Sequence, residues 1–465
     1  MTAMVSNMIS LANKLIIFSI FCGVLLSVSL CRAEEYTLND LYLTALQNSE
    51  NIKIAGEDLH IAESEHDQTI SVLYPTLSAF GYHTRYTESK GRGNLILQPE
   101  FTNEWGLKAE KTVHLSGREL TAFKMARDGI KEEIQNVRAV KETHFMKVAE
   151  AYYEVLKSGK AVELAQVNLK RLVKHRDRAA LMLKVGETTR TVLLRAEAEL
   201  AGSRAELIKA ENALRISRTI LARVTGIEMD FSLREAENSG MIDNVSDLGR
   251  LVEGCPADVM ECLKELAMQQ RNEIKSSLIG NRIAGDRVKY AKGAYWPELS
   301  VEAVYQRQKN DPVSSFGLEE RTYAAFRVDY PFWEGGLKKA AVGEARARHR
   351  RARLLHEDLK NSIKIEVENA YLELITISGV VEQLAVAVQY SEGNYNDVSR
   401  QFSNGLADSV DVIDANTLLL RSERELASAR YDYELAHIAI KKSVGSLLGS
   451  IQRMPGEIND GDEYE

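Results

Sequence analysis

The chain is expected to be a mainly α protein with a membrane β-barrel portion, and three observations predict this. One unit is written twice at a near-constant spacing. The seven prolines leave long stretches free to be helix. In two short windows the hydrophobic period changes from 3.6 to two.

The chain opens with a leader pattern. Lys14 precedes an apolar run from Leu15 to Leu30, and Cys31-Arg32-Ala33 offers a small-x-small cleavage site, so residues 1–33 read as a signal peptide. The run is shorter than the ~20 residues a bilayer-spanning helix needs, and no other stretch reads as apolar enough to span as a helix. A lipidated Cys31 is the rival reading, although Leu30 stands where such sites normally carry a small residue. After export only Cys31, depending on the cut, Cys255 and Cys262 could remain, and the last two could pair in an oxidising compartment or stay as two unpaired small residues.

The duplication shows in its offsets. Leu41, Ala45, Ile52, Lys53, Ala62 and Pro75 recur 222 residues later as Leu263, Ala267, Ile274, Lys275, Ala284 and Pro297. Gly117 and Gly186 recur 219 later as Gly336 and Gly405, so three residues are lost in a loop between Pro297 and Gly336. The copies are bounded as repeat 1 at 34–226 and repeat 2 at 258–449. An inter-repeat segment at 227–257 and an acidic C-terminal tail at 450–465 complete the chain.

Gly117 to Lys184 and Gly336 to Gln401 lack proline and are rich in Ala, Leu, Glu, Lys and Arg, which favours long helices. Each run stops at a glycine, within 185–190 and 403–408. A returning helix follows each stop, Thr191 to Val224 and Val410 to Leu448. Each repeat therefore holds a helical hairpin, with Thr189 or Asp408 available to cap the second helix.

Strands are expected at about 77–86, 103–115, 298–306 and 323–333. Trp105, Leu107, Ala109 and Val113 alternate with Glu104, Lys108, Glu110 and Thr112, and Phe326, Val328, Tyr330 and Phe332 alternate with Arg327 and Asp329. In the first strand Phe80 and Tyr82 are assigned to the apolar side. Strands of this length with apolar-out, polar-in alternation suit a water-filled membrane barrel. A small soluble sheet is the competing reading, but its core would hold Arg, Glu and Lys. The linkers, Thr87 to Glu100 and Arg307 to Arg321, read as exposed loops. Four strands cannot close a barrel, and open edges in lipid leave unpaired amides, so the chain must associate. Two copies give eight strands and three give twelve, and a lumen holding bulky charged residues favours twelve.

Other classes are excluded by what the residues lack. There is no phosphate loop, nucleophile elbow or zinc-binding His pair. His349 and His356 stand roughly 10 Å apart along one helix, too far to share a metal. With 59 basic and 67 acidic residues the net charge is −8, about −10 once Lys14 and Arg32 leave, so nucleic acid is not an expected partner. The basic run Arg346 to Arg353 sits in a helical pattern and reads as a solvated face.

The most specific stretch is Ser403 to Arg430. A glycine turn leads into Ser409-Val410-Asp411-Val412-Ile413-Asp414-Ala415-Asn416-Thr417, then Glu425-Leu426-Ala427-Ser428-Ala429-Arg430. With Tyr330-Pro331-Phe332-Trp333-Glu334-Gly335-Gly336, Val185-Gly186 and the repeat itself, the chain resembles the TolC-like outer membrane efflux proteins over nearly its whole mature length. The resemblance implies a homotrimer with a 12-stranded barrel in outer-membrane lipid, continued by a periplasmic α-helical barrel. It implies a passive exit duct for efflux or type I secretion, without a cofactor. The expected partners are a periplasmic membrane-fusion adaptor protein and an inner-membrane transporter of RND, ABC or MFS type. A periplasmic coiled-coil adaptor or scaffold without a barrel is the alternative.

The resemblance also places site residues. Two acidic gate positions fall on Asp411 and Asp414, whose spacing of three puts them on one helix face. Read without the family, the same pair could simply be an acidic first turn favoured by the helix dipole. Val185, Gly186, Glu187, Gly405 and Leu406 are the candidate adaptor-contact tips, or simple turn residues. The family's usual latch is altered by Ala407, Phe402 and Val192, and Arg190 with Asp408 is the candidate substitute.

Overall fold

The computed structural model describes residues 34–235, 259–314 and 318–452. The leader at 1–33 with Cys31, the inter-repeat stretch with Cys255 and the tail from 453 lie outside them. The first repeat forms β1 (Glu34–Tyr36), α1 (Leu38–Asn48), α2 (Glu50–Ser71), β2 (Thr76–Arg85), β3 (Lys90–Arg92), β4 (Leu95–Gln98), β5 (Phe101–His114), α3 (Arg118–Lys184) and α4 (Arg190–Thr225), followed by β6 (Phe231–Leu233). The second forms α5 (Val259–Gln270), α6 (Asn272–Gly293), β7 (Glu298–Asp311), β8 (Glu320–Asp329), α7 (Leu337–Ser403), α8 (Ser409–Val444) and α9 (Leu447–Gln452). The long helices α3 and α7 each have 67 residues, which is about 100 Å of helix at 1.5 Å per residue.

The main sheet runs β2-β5-β7-β8, antiparallel throughout. The repeats join at β5–β7, paired from Phe101 with Asp311 to His114 with Glu298. Residues paired across such a ladder project to the same face. One face carries Leu77, Ala109, Leu107, Tyr305, Phe326 and Val328, and the other Glu104, Lys108, Glu110, Glu302 and Arg327. On the polar face the Lys108 ammonium lies 2.7 Å from Glu110 and 3.6 Å from Glu302.

The structure corrects four expectations. Phe80 pairs with Gly106 and Tyr82 with Glu104, which puts both aromatics on the charged face rather than the apolar one. A side chain on Gly106 would meet the Phe80 ring at 2.7 Å, so the ring covers the space the glycine leaves. The last strand stops at Asp329, short of the expected Trp333, because its partner β7 begins at Glu298, just after Pro297, and Pro331 has no amide to donate. The linker at 87–100 contains the hairpin β3–β4. Finally, α7 includes an 18-residue window of mean hydropathy 1.5 that is only 11% buried. It belongs to one continuous helix that packs on α5, α6 and α8, so its apolar side is left bare.

Beneath the sheet the helices stand as a wall. Near the sheet the neighbours run α2-α3-α6-α7, and towards the hairpin tips α4-α3-α8-α7. The core sits at mid-height. Tyr152, Phe145, Leu41 and Leu221 are fully buried together with Phe231 and Leu447, and the Tyr152 hydroxyl donates to the Arg234 carbonyl at 2.6 Å. Ile363, Val367, Ile440 and Val444 form the matching cluster of the second repeat. Burying each such side chain contributes about 1.5–3 kcal/mol. A parallel pair, β1–β6, closes this belt.

Candidate functional site at the hairpin tips

The two tips are built alike because their sequences solve one local problem, ending a long helix and reversing the chain. Gly186 and Gly405 take φ values of 83° and 71°, a left-handed region closed to most side chains. The following amides reach back, Glu187 to the Met182 carbonyl and Leu406 to that of Gln401, both at 2.9 Å. This pattern satisfies carbonyls the helix would leave bare.

The returning helices start differently. Asp408 caps α8, accepting from the Ser409 amide, while Asp411 accepts from the Asp408 amide at 2.9 Å. Thr189 at the head of α4 makes no side-chain cap bond. Asp411 and Asp414 are both exposed, whereas Val412 and Ile413 between them and Ala415 after them are buried. The two carboxylates therefore share an outward face, and Asp411 also serves the helix start. Val185 (60% exposed) and Leu406 (77%) project from the tips, with Gly186, Glu187 and Gly405 beside them also exposed. Arg190 and Asp408 form no ion pair within the chain, and the Asp408 carboxylate is occupied by its cap.

What joins the hairpins lies higher, between α3 and α8. Arg171 grips Glu423 through two bonds of 2.9 and 2.7 Å and lies over the Tyr395 ring at 5.6 Å; the Glu423 carboxylate holds this guanidinium more firmly protonated than usual. His175 meets the Ser409 hydroxyl at 2.9 Å, and burial lowers its pKa. Asn416 donates to Asn168 at 2.7 Å, and Arg178 donates to the Ser403 carbonyl at 2.6 Å. Phe402, at the departed tyrosine position, is buried against Met182 and Val412. Sequence reading missed these residues, although Arg171 and Glu423 stand nearly equal distances from their tips and antiparallel helices bring such positions level. It also missed Arg195. The 219-residue offset makes Arg195 and Val192 the counterparts of Asp414 and Asp411, and Arg195 is exposed.

Among the described residues no group of three or more His, Cys, Asp or Glu could hold a metal. Cys262 is disulfide-bonded, and the chain's other cysteines lie outside the described residues.

Residues 41–227 and 263–446 match the outer membrane efflux protein family. The chain is 24% identical to the outer membrane protein TolC of Vibrio cholerae, over 66% of this chain and 69% of that protein. It is 20% identical to the alkaline protease secretion protein AprF of Pseudomonas aeruginosa, over 70% and 67%. The solved CmeC outer membrane channel of Campylobacter jejuni superposes with a TM-score of 0.77 at 15% identity, over 88% of this chain and 86% of that one. The matched segments are the two repeats, each with its paired strands and glycine-tipped hairpin, and on that ground the chain belongs to the outer membrane efflux protein family, as an exit duct of the outer membrane with a large periplasmic portion.

Proposed function

We propose that the duct is a homotrimer whose three sheets close a 12-stranded barrel and whose helices form a 12-helix periplasmic tunnel. The observation that carries this is the open four-stranded sheet, apolar on one face and charged on the other, with β2 and β8 paired on one side only. Edges left open in lipid cost several kcal/mol per unpaired amide. Two copies would supply eight strands, too narrow for a lumen holding Glu104, Lys108, Glu302 and Arg327.

The duct conducts passively and catalyses nothing. It docks a periplasmic membrane-fusion adaptor, which links it to an inner-membrane transporter that supplies the energy. The exposed tips at Val185, Gly186, Glu187, Gly405 and Leu406 are the adaptor contacts, because they are the part of the chain farthest from the sheet. Asp411 and Asp414 of three copies converge as six carboxylates at the periplasmic mouth and favour cations there. Arg195 stands at the matching level of α4 and moderates that preference. The disulfide of Cys262 is proposed to run to Cys255.

Conductance across a planar bilayer tests the reading. The protein extracted from outer membranes is expected as a trimer that passes ions. Asp411→Ala with Asp414→Ala should weaken cation selectivity and block by multivalent cations, and Arg195→Ala should strengthen both. A soluble, non-conducting protein would return the adaptor alternative, and unchanged selectivity in the double variant would reject the carboxylate ring.

A further inference from the structure

We infer that a basic belt on the outer surface of the helices, just beneath the sheet, holds the phosphate headgroups of anionic phospholipid; this rests on the barrel proposed above. That reading turns the charged face of the sheet to the lumen, and the contacts at the head of α3 then tell the inside of the helix from the outside. His114 stands four residues after Glu110 in β5 and so shares the charged face. Its ring lies 2.5 Å from Glu119 and 3.2 Å from Arg118, which marks the inner side of α3. Between residues 118 and 140 the exposed positions of that helix are Leu120, Lys124, Arg127, Lys131 and Arg138. At about 100° per residue they fall within an arc of roughly 60°, centred about 160° round from Arg118 and Glu119. The stripe is therefore external, and below Leu120 it is wholly basic.

The neighbouring helices continue it. On α6, Lys289 shares the buried Asp286 with Lys124, at 2.8 and 2.9 Å, and Arg282 pairs with the buried Asp128 at 2.9 Å. On α7 the 219-residue offset makes Lys339, Arg346 and Arg350 the counterparts of Leu120, Arg127 and Lys131, and all three are exposed. Among the described residues none of Arg127, Lys131, Lys339, Arg346 and Arg350 has an ion-pair partner. The acids set among them are the two buried aspartates, each beneath its cations, and Asp67, which stands in α2 where Lys289 stands in α6.

Depth decides what such a surface can reach. Tyr74, Trp296 and Trp333 are exposed at the junctions with the sheet, where aromatics mark a membrane interface. Measured from the heads of their helices, Lys339 and Lys289 are about 3–6 Å down, Arg127 and Arg346 about 14 Å, and Lys131 and Arg350 about 20 Å. A headgroup layer about 5–8 Å deep touches the first tier. A Debye length of about 8 Å brings the second under its field, while the third lies beyond both. Each cation held near an anionic leaflet strengthens the attraction about fivefold.

Lipid binding to the trimer extracted from outer membranes in detergent tests the belt. Fluorescent phosphatidylglycerol should bind about tenfold more tightly than phosphatidylcholine of the same chain length, and the preference should fall as salt rises. Lys339→Gln with Arg127→Gln and Arg346→Gln breaks no ion pair in the chain and should lower phosphatidylglycerol affinity by about fivefold or more. Arg127→Lys with Arg346→Lys should keep it. Lys131→Gln with Arg350→Gln should change it by less than about twofold. Equal affinity for the two lipids overturns the belt. So does an equal loss in the deeper pair, which would mean a polyanion lying along the helices rather than a headgroup layer. If the protein forms no trimer, the barrel itself is overturned and the belt falls with it.

Discussion

Glu142 of α3 is 2% exposed, with one carboxylate oxygen lacking a partner. Burial pushes its pKa up to about 7, Glu273 adds to the rise and Arg271 opposes it. A carboxyl raised in this way stabilises the fold in its neutral form. That contribution is complete below the ordinary carboxylate value of 4.5 and is lost as pH rises through about 7. Glu142→Gln should therefore raise the melting temperature at pH 8 by the equivalent of about 2 kcal/mol and change little at pH 4. Equal effects at both pH values would reject the account. Arg171 and Glu423, both largely buried, should couple by about 1–3 kcal/mol in a double-mutant cycle, read as thermal stability in detergent. The residue scale was only partly legible. Asp411 and Asp414 could be found from a motif, but Glu142 and Arg171 depend on which helices stand side by side, and Phe80 was misplaced because alternation in one strand does not reveal its register.

The helical hairpin is the element that recurs, and its legibility was high because each part is local. A proline-free run, a left-handed glycine and a capping residue need no distant partner to act. Gly405→Ala should cost about 1 kcal/mol through the left-handed backbone it must adopt, and Gly186→Ala about the same. Loss of signal from either tip in hydrogen exchange would be the readout. The tips differ in their caps, so Thr189→Asp should stabilise the start of α4 by about 0.5–1 kcal/mol, whereas Asp408→Ala should destabilise α8 by a similar amount. Strand ends were less legible than helix ends. The last strand was expected to reach Trp333 but stops at Asp329, opposite the first residue of its neighbour β7, since a strand extends only as far as its partner and a helix needs none.

At the scale of the whole molecule, a large apolar surface remains bare in the single chain, on the outer face of the sheet and along α7. Phe332→Asp should leave the helical hairpins intact but prevent barrel closure, and fractionation should show the chain shifting from the outer membrane to the periplasm; normal insertion would count against a closed barrel. The sequence by itself determined the duplicated unit, the long helices, the glycine tips and the four strands, because each is written in local period, proline placement and turn chemistry. Only the tertiary structure decided that β5 and β7 join the repeats, which side chains share the charged face of the sheet, and that Arg171 and Arg178 tie one hairpin to the other. Those features depend on register and on which helix faces meet, and both are set by contacts between residues hundreds of positions apart.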